Sequence, residues 1–243
     1  MTAAMRKIFI ADAHLKDPRD ENYQRLEAFL HQISGEIDTL FILGDLFDLW
    51  IGADTLILPS CRPIIATLKR LSRSGVRVVW LEGNHDFHLA PLIPREVGAE
   101  VFPGPVEMDI GGVRCHLCHG DQINPRDRGY RILRRLLRSG PVRLLPRILP
   151  TPVTLGIARL LDRHCNAERR NASRFDPVPL IRRYADERFR EGIDVVVTGH
   201  FHLPFMEERG GKRIVSVGDW IGEYSYASLE GGEWELVRFD GGG

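Results

Sequence analysis

Cysteine is scarce in this chain: four among 243 residues, too few for a disulfide scaffold at that length. No stretch of about 18 or more uncharged apolar residues occurs, which argues against a membrane-spanning helix. Residues 1–10 run straight into a strand-like segment with neither an apolar signal region nor a small-residue cleavage site, so the expected location is the cytoplasm. Net charge is missing too. Thirty-three Lys and Arg balance thirty-three Asp and Glu, and no global field calls for a polyanion. Internal repeats are not evident, and low complexity is confined to Gly241-Gly242-Gly243.

With 43% apolar and 27% charged residues, the chain can bury a substantial core as one domain spanning residues 1–243. Short apolar runs at residues 7–11, 39–43 and 76–81 read as buried strands. Between them, Leu26, Phe29, Leu30 and Ile33 recur at helical spacing, and residues 63–71 repeat that pattern. Strand and helix alternate, as in an α/β fold. Further strands are expected at residues 113–118, 195–198 and 214–217, each followed at once by polar or glycine-bearing residues. Cys115 and Cys118 fall inside one of these runs and read as packing residues, because no second cysteine pair accompanies them.

The polar clusters just past the strand ends carry the chemistry, at the place where open α/β sheets keep their sites. Asp12-Ala13-His14 sets a carboxylate and an imidazole two residues apart. Gly44-Asp45-Leu46-Phe47-Asp48 adds carboxylates, and Gly83-Asn84-His85-Asp86 adds an amide oxygen and an imidazole. His119-Gly120-Asp121 and Gly199-His200-Phe201-His202 supply three more histidines. A single D-x-H is weak, but five such clusters in order point to a binuclear metal site on Asp12, His14, Asp45, Asn84, His119, His200 and His202. Mixed oxygen and imidazole ligands suit two borderline divalent ions such as Mn²⁺, Fe²⁺, Co²⁺ or Zn²⁺, which narrows the metal without naming it. Shared by both, Asp45 would hold them about 3.5 to 4 Å apart. Such a pair supports in-line hydrolysis of a phosphate ester or anhydride. Asp45 and His85 are the expected catalytic residues, His85 being offset from Asn84 and available to contact phosphate or protonate a leaving group. Asp48 and Asp86 are expected to orient His85 or its neighbours. His31, His88, His116 and His164 read as surface or satisfied core histidines.

These five motifs resemble those of the calcineurin-like metallophosphoesterase superfamily and cover the chain from Asp12 to His202. The resemblance implies a four-layer α/β/β/α sandwich of two mixed sheets. One metal would then take Asp12, His14, Asp45 and His202, and the other Asp45, Asn84, His119 and His200. Within the superfamily, residues 44–52, Ser216-Val217-Gly218-Asp219-Trp220, and His119-Gly120-Asp121 with Asp127 and Tyr130 following are similar to the bacterial UDP-2,3-diacylglucosamine pyrophosphohydrolases of lipid A synthesis. Those enzymes release UMP and the acylated sugar 1-phosphate, lipid X. Many of them carry arginine after the motif asparagine, where this chain has His85.

From Asn124 to Arg174 thirteen arginines face only Asp127, Asp162 and Glu168. Ile132, Leu133, Leu136 and Leu137 alternate there with Arg131, Arg134, Arg135 and Arg138 at helical spacing, and Leu144, Leu145, Ile148 and Leu149 repeat the pattern. This predicts a helical cap insertion at about residues 125–175, its apolar face for acyl chains and its arginines for phosphate or anionic lipid at the cytoplasmic face of the inner membrane. The plainer reading packs the leucines on the core and leaves the arginines in solvent. Expected substrate contacts are Asn84, His85, Asp127, Tyr130, Arg170, Arg174 and His200, to a lipid-nucleotide substrate, with no obligatory protein partner. The rivals are a soluble phosphodiesterase or nucleotide pyrophosphatase of the same superfamily, a nuclease, and a non-catalytic scaffold. The arginine-rich stretch holds only Tyr130 and Phe175 as stacking aromatics, against a nuclease, and retention of all seven ligands argues against a scaffold.

Overall fold

The structure, a computed structural model, describes residues 6–51, 57–90, 92–140, 156 and 176–241. β1 (Arg6–Ile10), β2 (Ile37–Ile42), β4 (Arg77–Leu81) and β6 (Glu100–Phe102) pair in parallel. β12 (Ser225–Glu230) and β13 (Glu233–Arg238) join antiparallel, giving the six-stranded order β13-β12-β1-β2-β4-β6. The second sheet, β10-β11-β9-β8-β7, is built from β7 (Val106–Ile110), β8 (Val113–Cys118), β9 (Val195–Thr198), β10 (Phe205–Arg209) and β11 (Lys212–Ser216). β8, β9 and β11 are its parallel members. β3 (Trp50–Ile51) and β5 (Asp86–Phe87) make a small separate pair.

Strand alternation decides which layer each side chain enters. Ile8 and Ile10 of β1 point to helices α1 (Glu21–Gln32) and α2 (Arg62–Arg73), joining Leu26, Phe29, Leu30, Ile64 and Leu68 in one core. Phe9 points the other way, stacks on Phe41 with ring centroids 4.4 Å apart, and meets Leu117, Val195, Val197 and Val215 of the second sheet. On that sheet's outer face, Val196 and Ile214 pack on Ile181 and Ala185 of a long late helix, Val178–Arg190. The layers are therefore helix, sheet, sheet, helix, as the motif resemblance implies. Short helix α3 (Ile93–Glu96) lies between β5 and β6, α4 (Arg128–Leu137) follows β8, and Val178–Arg190 is α5.

Three hairpins, β7/β8, β10/β11 and β12/β13, turn on Gly111-Gly112, Gly210-Gly211 and Gly231-Gly232. Both glycines of each pair have positive φ, the requirement of a tight two-residue loop that continues the strand twist. Cys61, Cys115 and Cys118 are buried free thiols. Among the described residues no helix is long and apolar enough to cross a membrane. Of the expected cap, α4 and the few residues on either side of it are described, with residue 156. Arg143, Leu144, Leu145, Ile148, Leu149, His164, Arg169, Arg170 and Arg174 lie outside the described residues.

Candidate metal centre

Each of the five polar clusters begins within three residues of a parallel strand's C-terminal end, after β1, β2, β4, β8 and β9, and backbone hydrogen bonds tie these ends together. Asp12 N–H donates to Gly44 O (3.2 Å), His14 N–H to Asp45 O (3.0 Å), Gly199 N–H to His119 O (2.9 Å), and Trp220 N–H to Asp12 O (3.2 Å). Seven non-glycine residues have positive φ among the described residues, and five of them are Asp12, His14, Asp45, His200 and His202. Left-handed backbone costs of order 1–3 kcal/mol at such a residue and survives only where surrounding contacts enforce it. Here it turns five donor side chains toward one point.

The donor atoms form two groups with a common member. Asp12 Oδ1 lies 3.7 Å from both His14 Nε2 and His202 Nε2. His119 Nε2 lies 3.3 Å from Asp45 Oδ2 and 3.0 Å from Asn84 Oδ1, with His200 in the same cluster. Asp45 Oδ2 is also 3.7 Å from His14 Nε2 and so borders both groups. A cation with bonds of about 2.1 Å spreads its ligand atoms about 3.0–3.4 Å apart, which these spacings approach. Asp12 Oδ1 and His14 Nε2 are buried with no hydrogen-bond partner among the described residues. Orphaned buried polar atoms are costly, and a divalent cation satisfies both of these. The donor set fits the implied metals.

Each shared carboxylate divides its oxygens. Asp12 Oδ2 accepts from the His200 N–H at 2.5 Å and Asp45 Oδ1 from the His85 N–H at 2.8 Å, leaving the opposite oxygens for the centre. The histidines are oriented through Nδ1 in the same way. His119 Nδ1 pairs with Leu43 O (2.8 Å), His85 Nδ1 with Asp48 O (2.7 Å), and His202 Nδ1 with Asp219 Oδ2 (3.0 Å). Asp219 Oδ1 accepts from the N–H groups of Ile221, Gly222 and Glu223. Sequence reading gave Asp219 no role of its own; its place past the C-terminal end of parallel strand β11 was the available signal. At Gly83 a Cβ would collide with Asp45 Oδ1 and lie 2.5 Å from Asp45 N, so only glycine lets the two loops approach this closely.

Electrostatics bind the cluster. Burial would lift Asp45, but His119 and His85 hold it well below the usual carboxylate range. Asp12 is likewise held down against its burial by His14, His119 and His202. Burial opposes charge on His119 as well, yet Asp45 and Asp12 lift it to about 10. Burial and then Asp45 push Asp86 up to about 7.

Of the groups Asp86 is expected to orient, it holds the backbone of Asp45 and not His85. Its carboxylate accepts from the backbone N–H of Asp45 (2.9 Å), Gly83 (3.0 Å) and Leu46 (2.8 Å), so it splices the second and third motif loops. His85 is oriented by the Asp48 carbonyl, while the Asp48 carboxylate meets Lys16 Nζ at 3.2 Å. His85 is only 3% exposed and packs edge-on against His14. Asp127 caps α4, accepting from Tyr130 N–H (2.9 Å), and the Tyr130 hydroxyl donates to Asp121 (2.5 Å). In α4 Arg134 and Arg138 reach the body: Arg134 Nε donates to Asp121 (2.7 Å) and Arg138 Nη1 to Glu82 (2.5 Å), while Ile132 and Leu136 are 71% and 60% exposed. The plainer arrangement, leucines in and arginines out, fails for Arg134 and Arg138, while Leu133 and Leu137 are half-buried and Arg131 and Arg135 exposed. His31 pairs with Arg70, His88 with Leu137 O and His116 with Tyr184, as ordinary satisfied histidines do.

Comparison with known proteins agrees with this geometry. Residues 5–204 match the calcineurin-like phosphoesterase family. A UDP-2,3-diacylglucosamine hydrolase of Stenotrophomonas maltophilia (strain K279a) is 33% identical, with 96% of this chain and 98% of that one covered. The enzyme of the same name from Pseudomonas fluorescens (strain SBW25) is 31% identical, covering 96% and 95%. Among solved structures, the phosphoesterase Yfce of E. coli superposes with a TM-score of 0.51 at 17% identity over 97% of this chain and 94% of that one, which bears on the fold alone. This chain belongs to the calcineurin-like phosphoesterase family and is a metal-dependent phosphoesterase.

Proposed function

We propose that this enzyme hydrolyses the diphosphate of UDP-2,3-diacylglucosamine, releasing UMP and 2,3-diacylglucosamine 1-phosphate, lipid X, at the cytoplasmic face of the inner membrane. The observation that carries the reading is the double donor cluster sharing Asp45 in a chain whose full-length relatives bear that hydrolase name. Asp12, His14, Asp45 and His202 would hold one divalent ion, Mn²⁺ first among the compatible metals, and Asp45, Asn84, His119 and His200 the second. Bound there, the ions acidify water at neutral pH and neutralise charge on the phosphoryl oxygens.

The chain's own residues do the rest. Water adds across one anhydride P–O bond, and the bridging oxygen leaves with the phosphate on the far side. Asp12 and Asp45 present one oxygen each, fixed by the N–H bonded to the other. His85 holds a proton on Nδ1 for the Asp48 carbonyl, which aims Nε2 at the centre; carrying a second proton there, as imidazolium, it would donate to a phosphoryl oxygen or give that proton to the leaving one and return to the neutral ring. The exposed Ile132 and Leu136 are placed to meet acyl chains or a lipid surface, flanked by exposed Arg131 and Arg135. Asp127, Tyr130, Arg170 and Arg174 remain proposed contacts to the nucleotide and diphosphate.

Purified enzyme with Mn²⁺ is expected to convert UDP-2,3-diacylglucosamine to UMP and lipid X, and Asp45→Ala is expected to abolish both this and turnover of bis-p-nitrophenyl phosphate. Turnover of the generic diester without cleavage of the lipid substrate would leave the metal site standing and overturn the lipid assignment.

A further inference from the structure

Glu82 is a carboxylate at the C-terminal end of β4, only 3% exposed, immediately before the Gly83-Asn84 loop. Its Oε1 accepts from Leu89 N–H at 2.7 Å, which closes the loop's far end. Its Oε2 accepts from Arg138 Nη1 at 2.5 Å, and the same guanidinium donates through Nη2 to Gly83 O (2.8 Å) and through Nη1 to Pro103 O (2.8 Å). Arg138 is the C-cap of α4, its guanidinium lies 5.5 Å from the Phe87 ring, and the Leu137 carbonyl beside it pairs with His88 Nε2 at 3.0 Å. One and two turns earlier, Arg134 and Tyr130 both hold Asp121, two residues past His119. A helix that leaves Ile132 and Leu136 outward is thus fastened, by charge, to the two loops that carry Asn84 and His119.

We propose that Arg138 is a positioning residue for the metal centre: clamped to Glu82 and the Gly83 carbonyl, it holds the loop that presents Asn84 and makes cation affinity depend on α4 being docked. The inference rests on the metal-site reading above but not on the identity of the lipid. Partners hydrogen-bonded directly to a metal ligand typically alter affinity or activity about ten- to a hundredfold when removed, and Arg138, acting on the Asn84 loop through Glu82 and the Gly83 carbonyl, is expected to fall in that range. The geometry explains why here. Without Arg138, Glu82 is a buried unpaired charge, and the Gly83 carbonyl loses a donor one residue from the Asn84 side chain that faces His119. Coupling runs both ways by linkage, so a bound cation tightens α4 onto the body.

The test is calorimetric titration of Mn²⁺ into the wild type, Arg138→Met, Arg138→Lys, Glu82→Gln and, as a control, Arg77→Met. The control breaks an exposed 2.6 Å ion pair with Glu100 at the opposite end of β4. Amide hydrogen exchange of residues 128–138 is followed with and without Mn²⁺. Expected are a ten- to hundredfold weaker Mn²⁺ affinity in Arg138→Met and Glu82→Gln, a smaller loss in Arg138→Lys, and wild-type affinity in Arg77→Met. Mn²⁺ should slow exchange of α4 in the wild type and in Arg77→Met but not in Arg138→Met. Affinity within about twofold of wild type in either Arg138→Met or Glu82→Gln, with α4 still protected by Mn²⁺, would overturn the proposal even if the melting temperature fell, because that is the behaviour of a purely structural ion pair. Absence of Mn²⁺ binding by the wild type would overturn the metal-site reading itself.

Discussion

Asp45 and His116 show how burial acts on opposite sides of one chemistry. Asp45 stays charged at zero exposure because imidazoles face it, and its left-handed backbone, φ 53°, is the local cost of aiming Oδ2 at two donor groups at once. His116 has no such company. Burial first, then Arg188, pushes it down to about 4, against the pull of Glu107, and the Tyr184 hydroxyl at 2.8 Å matches a neutral ring. The unfolded chain would protonate this histidine near its ordinary value of 6.5 and the folded chain only near 4, so the unfolded state binds more protons between those values and stability falls as pH drops through that window. By linkage this amounts to about 2 kcal/mol between pH 7 and 4.5. His116→Gln, which keeps a partner for Tyr184, should lose less stability over that range than the wild type in urea denaturation followed at both pH values. Equal losses would show that His116 titrates normally in the fold.

At the scale of elements, α4 departs most from ordinary packing. Arg134 and Arg138 are turned inward to Asp121 and Glu82, so the i, i+4 pair Ile132 and Leu136 is left outward and stabilises nothing among the described residues. Replacing both with Asp should leave the melting temperature within about 2–4 °C, since exposed substitutions rarely exceed about 0.5 kcal/mol each. The same double variant should raise KM for UDP-2,3-diacylglucosamine about tenfold and leave bis-p-nitrophenyl phosphate turnover unchanged. An unchanged KM would remove the stripe from the lipid site. Amphipathicity was plain in residues 131–138, yet two stripes of opposite character cannot say which one faces the body. That choice was made by Asp121 and Glu82, 13 and 56 positions away from their arginines. The hairpins were less legible for another reason: β7 and β10 alternate exposed and half-buried residues and carry charge, so neither reads as an apolar run, although a Gly-Gly pair ends each of them.

For the molecule as a whole, the site belongs to no single element. It joins loops from both sheets, so cation binding should stabilise the entire sandwich and not one hairpin. At a free Mn²⁺ concentration about a hundredfold above the dissociation constant, mass action contributes about 2.7 kcal/mol, or a rise of about 5–10 °C in the melting temperature of a chain this size. Differential scanning calorimetry with Mn²⁺ and with a chelator measures it. Asp45→Ala should melt at the same temperature in both, and a wild type indifferent to Mn²⁺ would contradict a centre shared between the sheets.

The sequence by itself determined the parallel core strands, because strands buried on both faces are written as continuous apolar runs. The seven proposed donors were legible as candidates for the same reason, because each polar cluster follows such a run and breaks its hydrophobicity. Spacing and residue type carry both signals locally. Packing was needed to show that Asp86 splices two loops through three N–H groups, that Asp219 holds His202, and that Arg134 and Arg138 turn inward from α4. Each of these depends on a hydrogen-bond partner far along the chain, supplied once two sheets and a helix have packed, and no local period of 2 or 3.6 encodes such a partner.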